Sequence, residues 1–320
     1  MKSSRKIITI IASCMIVIGI LLAVIGLSAG ARFSITNTLD GFKVLGPEDR
    51  KIEEFPLSAF TNIKGDLTDA DIEIIPSNEY KLKIERQKST KITHEVENDT
   101  LVLEDNDSKS SPKLFLNLTF SSIPETVIKI YVPKETKFSD VSLVNKFGDT
   151  RLDGVITDKL KIDSNDGDIV LNDVQANELN IENGFGDITS SKVTTKVLNI
   201  DMNDGDAIFD TINAASTVLN NKFGDITFRN FTSEGLTMKS NDGDIEIQGM
   251  LLGNSTIHSS FGDVNLKLLN KKSDLSYNIR NKFGDITVND NQFETKATNT
   301  TNSQNKLDIT SNDGDVDVTF

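Results

Sequence analysis

Residues 160–171 read Leu-Lys-Ile-Asp-Ser-Asn-Asp-Gly-Asp-Ile-Val-Leu, and they carry the pattern that decides the fold. Apolar residues alternate with polar ones before and after a central pair, Gly167-Asp168. Alternation over four to six residues is typical of a β-strand that buries one face. The segment therefore predicts a short strand, a glycine turn and a second short strand.

Related phrases recur nine times between residues 145 and 315, and each ends in Gly-Asp. The first seven Gly-Asp pairs are nineteen residues apart, and the last two intervals are 22 and 30 residues. A constant interval of this size is the signature of stacked repeat units. Each unit is too short to bury its apolar face alone, so neighbouring units must cover one another. We therefore predict an all-β protein, a parallel β-solenoid (β-helix) with repeats of about nineteen residues.

The phrase has two versions that alternate along the chain. In one version a phenylalanine precedes the glycine, and in the other an aspartate does. Two packings fit this alternation: coils of nineteen residues with Phe in every second layer, or coils of thirty-eight residues with one Phe corner. Phe261 and Phe283 follow each other without an Asp version between them, which favours the nineteen-residue coil.

The repeated glycines are predicted to be structural turn residues, because glycine accepts positive φ without steric cost. They are Gly148, Gly167, Gly186, Gly205, Gly224, Gly243, Gly262, Gly284 and Gly314.

The repeated aspartates would form a column of like charges, and two explanations of this column compete. In the first, each carboxylate accepts hydrogen bonds from turn amides, which stabilise its charged form. In the second, paired carboxylates from stacked turns bind calcium, an ion that takes six to eight oxygen ligands. The spacing differs from the nonapeptide repeat of calcium-binding β-rolls, which favours the first explanation. The calcium candidates are Asp166, Asp168, Asp204, Asp206, Asp242, Asp244, Asp313 and Asp315.

The N-terminal region has the features of a membrane anchor. Residues 1–6 are basic and are predicted to be a cytoplasmic tail. Residues 7–29 contain no charge and are long enough to span a bilayer, so they are predicted to be a transmembrane signal-anchor. A cleaved signal peptide ending near Ala29-Gly30-Ala31, and a lipoprotein site at Cys14, are the alternatives. The protein is thus expected in the cell membrane, single-pass, with its β-domain extracytoplasmic.

The rest of the chain divides by composition. Residues 30–55 are polar and mixed, and we predict a juxtamembrane linker. Residues 56–141 alternate as strands and are predicted to cap the β-domain, with a separate β-sandwich as the alternative. Residues 142–320 form the Gly-Asp repeat. Within the cap, residues 64–67 (Lys-Gly-Asp-Leu) resemble an early copy of the turn phrase.

Charge and composition exclude several functions. Without the three cations of residues 1–6, 31 basic residues face 48 acidic residues, which leaves a net charge of −17. Such a surface repels nucleic acid and attracts cations or basic proteins. His94 and His258 stand alone, outside any metal-binding or catalytic spacing. No nucleophile elbow or phosphate loop is present, so we predict no catalytic residues, no cofactor and no enzyme activity.

Several phrases together resemble a known family. They are NKFGDITF (residues 221–228), SNDGDIEIQG (240–249), FTNIKGDLTDADIEIIPSNEYKLKI (60–84) and VIKIYVPKET (127–136). These are similar to the bacterial adhesin-like proteins with β-strand repeats, also called toastrack domains. That family includes the membrane-anchored LiaG-like proteins of Gram-positive bacteria. The resemblance implies a β-helical extracytoplasmic domain associated with cell-envelope stress systems, and it supplies no catalytic residues.

Together these observations predict a membrane-anchored, non-catalytic binding or structural module that acts in envelope stress response or adhesion. The expected partners are the membrane and other envelope-stress membrane proteins. A calcium-binding surface module is the first alternative, and a β-helical enzyme acting on polysaccharides is a more distant one.

Overall fold

The computed structural model describes residues 15–22, 24–26, 34–38, 41–45, 50–88, 90–105, 118–119 and 126–320. The chain divides into a smaller unit, residues 1–50 with 110–123, and a larger unit, residues 51–109 with 124–320.

The smaller unit contains a short helical stretch and a three-stranded sheet. Residues 15–22 and 24–26 are helical and lie within the predicted membrane span. The predicted tail (1–6) and residues 7–14, 23 and 27–29 of the span lie outside the described residues. Within the described part of the chain, the helical residues are too few to form an apolar helix of membrane-crossing length. Strand β1 (Ser34–Thr38) pairs antiparallel with both β2 (Gly41–Leu45) and β9 (Leu118–Thr119).

The larger unit is built around one sheet of twenty-two strands. Its middle consists of five strands of seventeen residues, each separated from the next by one Gly-Asp pair. Every strand pairs in parallel with the next, and each residue of β14 lies beside the residue nineteen positions further on, as Ile169 lies beside Ile188. The five are β14 (Ile169–Phe185), β15 (Ile188–Asp204), β16 (Ala207–Phe223), β17 (Ile226–Asp242) and β18 (Ile245–Phe261).

One strand together with its Gly-Asp pair forms one coil of the chain. Along β14 the alternation of buried and exposed residues changes phase near Asp173 and again near Asn177. Asp173 adopts a φ of 53°, and the equivalent Lys192, Thr211 and Asn230 are also left-handed, so the chain turns at this position in successive coils. With the Gly-Asp turn, each coil therefore has three corners and three short inward-facing stretches.

The inward-facing residues form columns that run through the stack. Ile169, Ile188, Ile226 and Ile245 occupy one column and are fully buried, with Ala207 in the coil between. Each buried aliphatic side chain of this size contributes about 1.5–3 kcal/mol by leaving water. In a neighbouring column the rings of Phe209 and Phe228 stack with centroids 4.6 Å apart. The stacked columns make each coil depend on its two neighbours.

The N-terminal end of the sheet starts with a coil that lacks the Gly-Asp phrase. Strand β4 (Asn62–Asp69) pairs in parallel with β11 (Lys137–Phe147), and β5 (Asp71–Ser77) pairs in parallel with β12 (Thr150–Asp153). The early turn copy predicted at residues 64–67 is wrong, because Gly65 lies inside β4 beside Leu143. The turn of this coil is instead at Ala70-Asp71, where alanine replaces glycine.

The remaining N-terminal strands include antiparallel pairs. Strands β6 and β10 pair antiparallel, as do β7 and β8, while β10 and β8 also extend the parallel ladders of β5 and β4. Strand β13 pairs in parallel with β11 on one side and with β14, the first of the seventeen-residue strands, on the other. These strands are β3 (Arg50–Pro56), β6 (Lys81–Gln87), β7 (Ile92–Glu97), β8 (Thr100–Asp105), β10 (Thr126–Pro133) and β13 (Ile156–Asp166).

At the C-terminal end the strands do not stack in chain order. Strand β24 lies between β18 and β20, and β25 lies between β19 and β21, with parallel pairing throughout. Strands β22 and β23 pair antiparallel with β21 and β20. The elements are β19 (Val264–Leu268), a 3-10 turn (Lys272–Asp274), β20 (Ser276–Phe283), β21 (Ile286–Val288), β22 (Asn291–Phe293), β23 (Lys296–Asn299), β24 (Lys306–Asp313) and β25 (Val316–Thr319).

The predicted all-β class is confirmed for the β-domain. The register interval of β14–β18 equals the nineteen-residue interval of the Gly-Asp pairs, except for an irregularity at Phe231–Ser233, and thirty-eight-residue coils do not fit it. The crossing of β24 and β25 was not predicted.

Candidate binding surface at the Gly-Asp edge

The Gly-Asp turns lie above one another along one edge of the larger unit. All nine predicted turn glycines have positive φ, between 106° and 144°. A Cβ atom built on Gly205 would lie 2.2 Å from the carbonyl oxygen of Gly186, and the other coils are similarly tight. Glycine is therefore required twice over, by its backbone conformation and by the close approach of the turn below.

The aspartates of these turns form a hydrogen-bonded column, which we call the Asp ladder. The backbone amide of Asp187 donates to Oδ1 of Asp168 at 2.8 Å, and the amide of Asp206 donates to Oδ1 of Asp187 at 2.9 Å. The same bond recurs in every coil, at 2.8–3.0 Å. The ladder consists, in stacking order, of Asp71, Asp149, Asp168, Asp187, Asp206, Asp225, Asp244, Asp263, Asp315 and Asp285.

These bonds explain how a column of like charges is tolerated. Carboxylates about 4.8 Å apart repel by roughly 0.9 kcal/mol at the dielectric constant of water. An amide donor aimed at each ladder carboxylate except that of Asp285, the last in the stack, favours the charged form and offsets this repulsion. Burial raises the pKa of Asp71, at the N-terminal end of the ladder, and the nearby carboxylates of Asp149 and Glu73 raise it further. The donors belong to the next coil, whereas the first explanation expected amides of the same turn.

A buried asparagine supports four of the five turns that carry phenylalanine, and the buried Ser259 takes its place in the turn of Phe261. Asn183 donates from Nδ2 to the carbonyl oxygen of Gly186 at 2.8 Å, and Asn221 donates to Gly224 at 2.6 Å. Asn145 donates to the carbonyl oxygen of Gly148 at 2.9 Å, whereas Asn281 donates to that of Gly314 in the neighbouring coil at 2.7 Å. In the coils between them the stacked residue is Ser164, Met202, Ser240 or Ser311, and in the first coil it is Leu67. The asparagine thus fixes the turn that holds the phenylalanine.

The residue before each turn glycine forms a second column, which we call the Phe/Asp row. Phenylalanine and aspartate alternate strictly in it from coil to coil. The pairs Asp166–Phe185, Phe185–Asp204 and Asp204–Phe223 lie directly across from each other on neighbouring strands. In stacking order the row reads Asp69, Phe147, Asp166, Phe185, Asp204, Phe223, Asp242, Phe261, Asp313 and Phe283.

The five phenylalanines of the row face solvent. Their exposed fractions are between 45% and 56%, although most other large apolar residues of the β-domain are buried. Adjacent strands are about 4.8 Å apart, so successive rings lie about 9.6 Å apart. Because the exposed aromatic side chains recur at a regular interval, the row is a candidate binding surface.

Lysines stand beside the row in three of the Phe coils. Lys222 donates from Nζ to Oδ1 of Asn203 at 3.0 Å, and the Nζ of Lys282 lies 4.9 Å from the ring centroid of Phe283. Lys146 occupies the same position before Phe147. The edge as a whole is acidic, since these three cations adjoin the Asp ladder and the aspartates of the row.

The structure places successive Asp-Gly-Asp turns, which carry the calcium candidates, two coils apart. Each Asp-Gly-Asp turn lies between turns that carry phenylalanine, so Asp166 and Asp204 are two coils apart. Oδ1 of Asp168 and of Asp206 accepts a backbone amide. Among the described residues, no three carboxylate, imidazole or thiol groups lie together as a metal site requires. The calcium alternative stays a prediction.

The two histidines lie on strands that do not pair. His94, on β7, packs against Phe55 with ring centroids 4.1 Å apart, and burial lowers its pKa. His258, on β18, is exposed between Lys239 and Thr310 on the neighbouring strands. The structure does not bring them together.

A shallow groove of about 410 Å³ lies on an outer side of the coils. Its polar lining includes Lys161, Asn180, Glu182, Asn199 and Asp201. Asn199 donates to Oδ1 of Asn180 at 2.7 Å, so part of the lining is a stacked amide pair. The sequence analysis missed this groove and the exposure of the Phe/Asp row. The signal for both was the outward position of these residues in the strand alternation.

Residues 60–319 match the protein-family model described as Toastrack DUF4097. No curated protein matches the chain.

Solved structures similar to this chain share little sequence with it. A "putative adhesin" of Bacteroides fragilis is 12% identical, with a TM-score of 0.39, covering 85% of this chain and 97% of that one. A "putative lipid binding protein" of Parabacteroides distasonis is 14% identical, with a TM-score of 0.44 and coverage of 85% and 98%. A "putative cell adhesion protein" of Clostridium sporogenes is 14% identical, with a TM-score of 0.23 and coverage of 84% and 98%. At these scores the likenesses do not bear on function.

Proposed function

Because this chain belongs to the Toastrack DUF4097 family, we propose that it is a non-catalytic binding module built on a parallel β-solenoid and displayed outside the cell. The observation that carries the proposal is the Phe/Asp row, in which five exposed rings stand at a constant interval along a hydrogen-bonded edge. A continuous sheet holds these rings at fixed spacing, so little ordering of the protein is needed when a ligand binds.

The roles of the repeated polar residues support binding over catalysis. The turn glycines allow close stacking, and the ladder aspartates accept backbone amides. Both are therefore part of the scaffold, and they hold the row in place. A catalytic site would instead need a few unrepeated groups brought together with perturbed pKa values.

The proposal includes a membrane anchor. Residues 7–29 form an uncharged run after the basic residues 1–6, which is the pattern of a single-pass segment with its N-terminus in the cytoplasm. This arrangement is that of the LiaG-like members of the family. A role in the cell-envelope stress response or in adhesion, beside other envelope membrane proteins, follows from the same resemblance.

Topology can be tested by cysteine labelling on intact cells that express the full chain. Cys14 is the only native cysteine and lies inside the proposed span. Lys196→Cys places a thiol on an exposed position of β15. We expect a membrane-impermeant maleimide to label Lys196→Cys on intact cells and to leave the unsubstituted chain unlabelled. Labelling of Lys196→Cys only after lysis would overturn the extracytoplasmic location.

Binding can be tested by sedimentation of the detergent-solubilised full chain with isolated cell envelopes. We expect co-sedimentation that falls when Phe185, Phe223 and Phe261 are all replaced by alanine. Ile208→Ala is the control, because Ile208 is a similarly exposed apolar residue outside the row. Equal sedimentation of the triple variant and the control would show that the Phe/Asp row takes no part in binding to the envelope.

A further inference from the structure

The Phe/Asp row has a spacing that restricts what can bind along its whole length. Its rings recur every second coil, about 9.6 Å apart, over five positions. An extended peptide repeats side chains on one face every 6.4–6.8 Å or so, and it would lose register with the rings after one interval. The geometry therefore favours a polymer whose own repeat is close to two strand spacings.

A β-1,4-linked glycan has such a repeat. Each sugar is turned over relative to the one before it, so the same ring face recurs at every second sugar, over nearly the distance that separates two rings of the row. Pyranose faces carry C–H groups that pack on aromatic rings. The intervening sugar would then lie over an aspartate such as Asp204, whose carboxylate can accept hydrogen bonds from it.

The charge of the edge narrows the class of glycan. The Asp ladder runs beside the row, with one exposed carboxylate in each coil from Asp149 onward, and the row contributes further aspartates. Only Lys146, Lys222 and Lys282 offset this charge within the repeated phrase. Acidic glycans and phosphate-rich polymers would be repelled, whereas ammonium groups at regular intervals would be attracted.

We propose that the Phe/Asp row binds a β-1,4-linked glycan that carries free amino groups, with a phenylalanine under every second sugar and carboxylates facing the ammonium groups. This inference rests on the proposed binding function and names its ligand class. Because identical subsites repeat along the row, the affinity rises with each added disaccharide until the glycan outgrows the row.

The test uses the purified full chain and glucosamine oligosaccharides of defined length, from the disaccharide to the decasaccharide, in titration calorimetry. We expect stepwise tightening with length, and weaker binding of the N-acetylated oligosaccharides of equal length. Phe223→Ala lowers the affinity for the longer oligomers by about 3- to 10-fold, as expected for loss of one aromatic contact. Phe223→Tyr keeps the ring and retains the affinity, while Ile208→Ala leaves it unchanged.

Several results would overturn the inference. Affinity that does not depend on oligosaccharide length would exclude the periodic site. Equal binding of N-acetylated and free-amine oligomers would exclude the role of charge, and loss of binding in Ile208→Ala would exclude the role of the row. Polylysine that binds more tightly than the glycans, with the same dependence on Phe223, would identify a cationic peptide as the partner. If the chain sediments with envelopes but binds no glucosamine oligomer, the proposed binding function is retained and this ligand class is excluded.

Discussion

Phe283 lies directly across from Asp313 on the neighbouring strand, although three further strands separate these residues along the chain. In the sequence, Phe283 follows Phe261 as two Phe versions in succession. In the structure β24 inserts Asp313 between them, and the alternation of the Phe/Asp row continues without a break. The alternation of the row therefore depends on how the strands stack, and it cannot be read from the order of the residues along the chain.

The turn glycines give the first prediction. Gly205→Ala places a Cβ atom 2.2 Å from the carbonyl oxygen of Gly186 at a φ of 132°, so the turn must move. We expect a loss of at least about 2 kcal/mol in stability, read as a lower midpoint of thermal unfolding by circular dichroism. Gly235→Ala is the matched control, because its nearest neighbour would be 3.7 Å away. Equal midpoints for both variants would contradict the steric explanation.

The Asp ladder gives the second prediction. Asp206 accepts the amide of Asp225 through Oδ1 at 2.8 Å, and Asp206→Ala removes this acceptor. We expect Asp206→Ala to cost about 1 kcal/mol in urea denaturation. Asp206→Asn keeps an oxygen acceptor and removes one charge from the column, so it should cost less. Equal losses from Asp206→Asn and Asp206→Ala would mean that the charge, and not the oxygen acceptor, stabilises the turn.

The third prediction concerns calcium. Because the carboxylates of the ladder are stabilised by amide donors, the folded stack needs no cation to offset their repulsion. We expect the thermal midpoint of the full chain to be the same in excess EDTA and in excess calcium. A midpoint that falls with chelator and recovers with calcium would support the calcium-binding alternative instead.

The fourth prediction concerns pH and Asp71. Burial raises the pKa of this carboxyl above its ordinary value of 3.8, so the folded protein holds the proton more tightly than the unfolded chain does. The contribution of Asp71 to stability is therefore greatest at low pH and is lost as the pH rises from 3.8 through the raised folded-state pKa.

Asp71→Asn tests this directly, since its amide oxygen can still accept the amide of Asp149, which now bonds to Oδ1 of Asp71 at 3.0 Å. We expect the variant to be more stable than the unsubstituted protein at neutral pH, with a difference that disappears below pH 3.8. The midpoints of urea denaturation of both proteins, measured from below pH 3.8 to neutral pH, test this expectation. A variant that is less stable at neutral pH would show that the charge of Asp71 is favourable.

The regular part of the fold could be predicted because each repeat carries its own signal. The Gly-Asp interval predicts the register of β14–β18, and the alternation around Gly167 predicts which residues are buried. The corner at Asp173 could not be predicted, because its equivalents are Lys192 and Thr211, which have no side-chain preference in common. That corner is imposed by packing of the coil rather than by local propensity.

The two ends of the sheet and the binding edge were harder to predict, for different physical reasons. At the N-terminal end Ala70 replaces the turn glycine, so the phrase that identifies a coil is missing there. At the C-terminal end the position of β24 depends on contacts between distant segments. The exposure of Phe223 is also invisible to composition, since phenylalanine is more often a core residue.

The crossing of β24 and β25 constrains how the protein can be made. A ribosome releases β20 and β21 before β24 and β25, yet these earlier strands belong on the far side of the later ones. Folding therefore cannot follow translation coil by coil to the end. The segment from Ser276 to Val288 either stays unpaired until the last strands have been synthesised, or pairs first with β18 and is then displaced from it by β24.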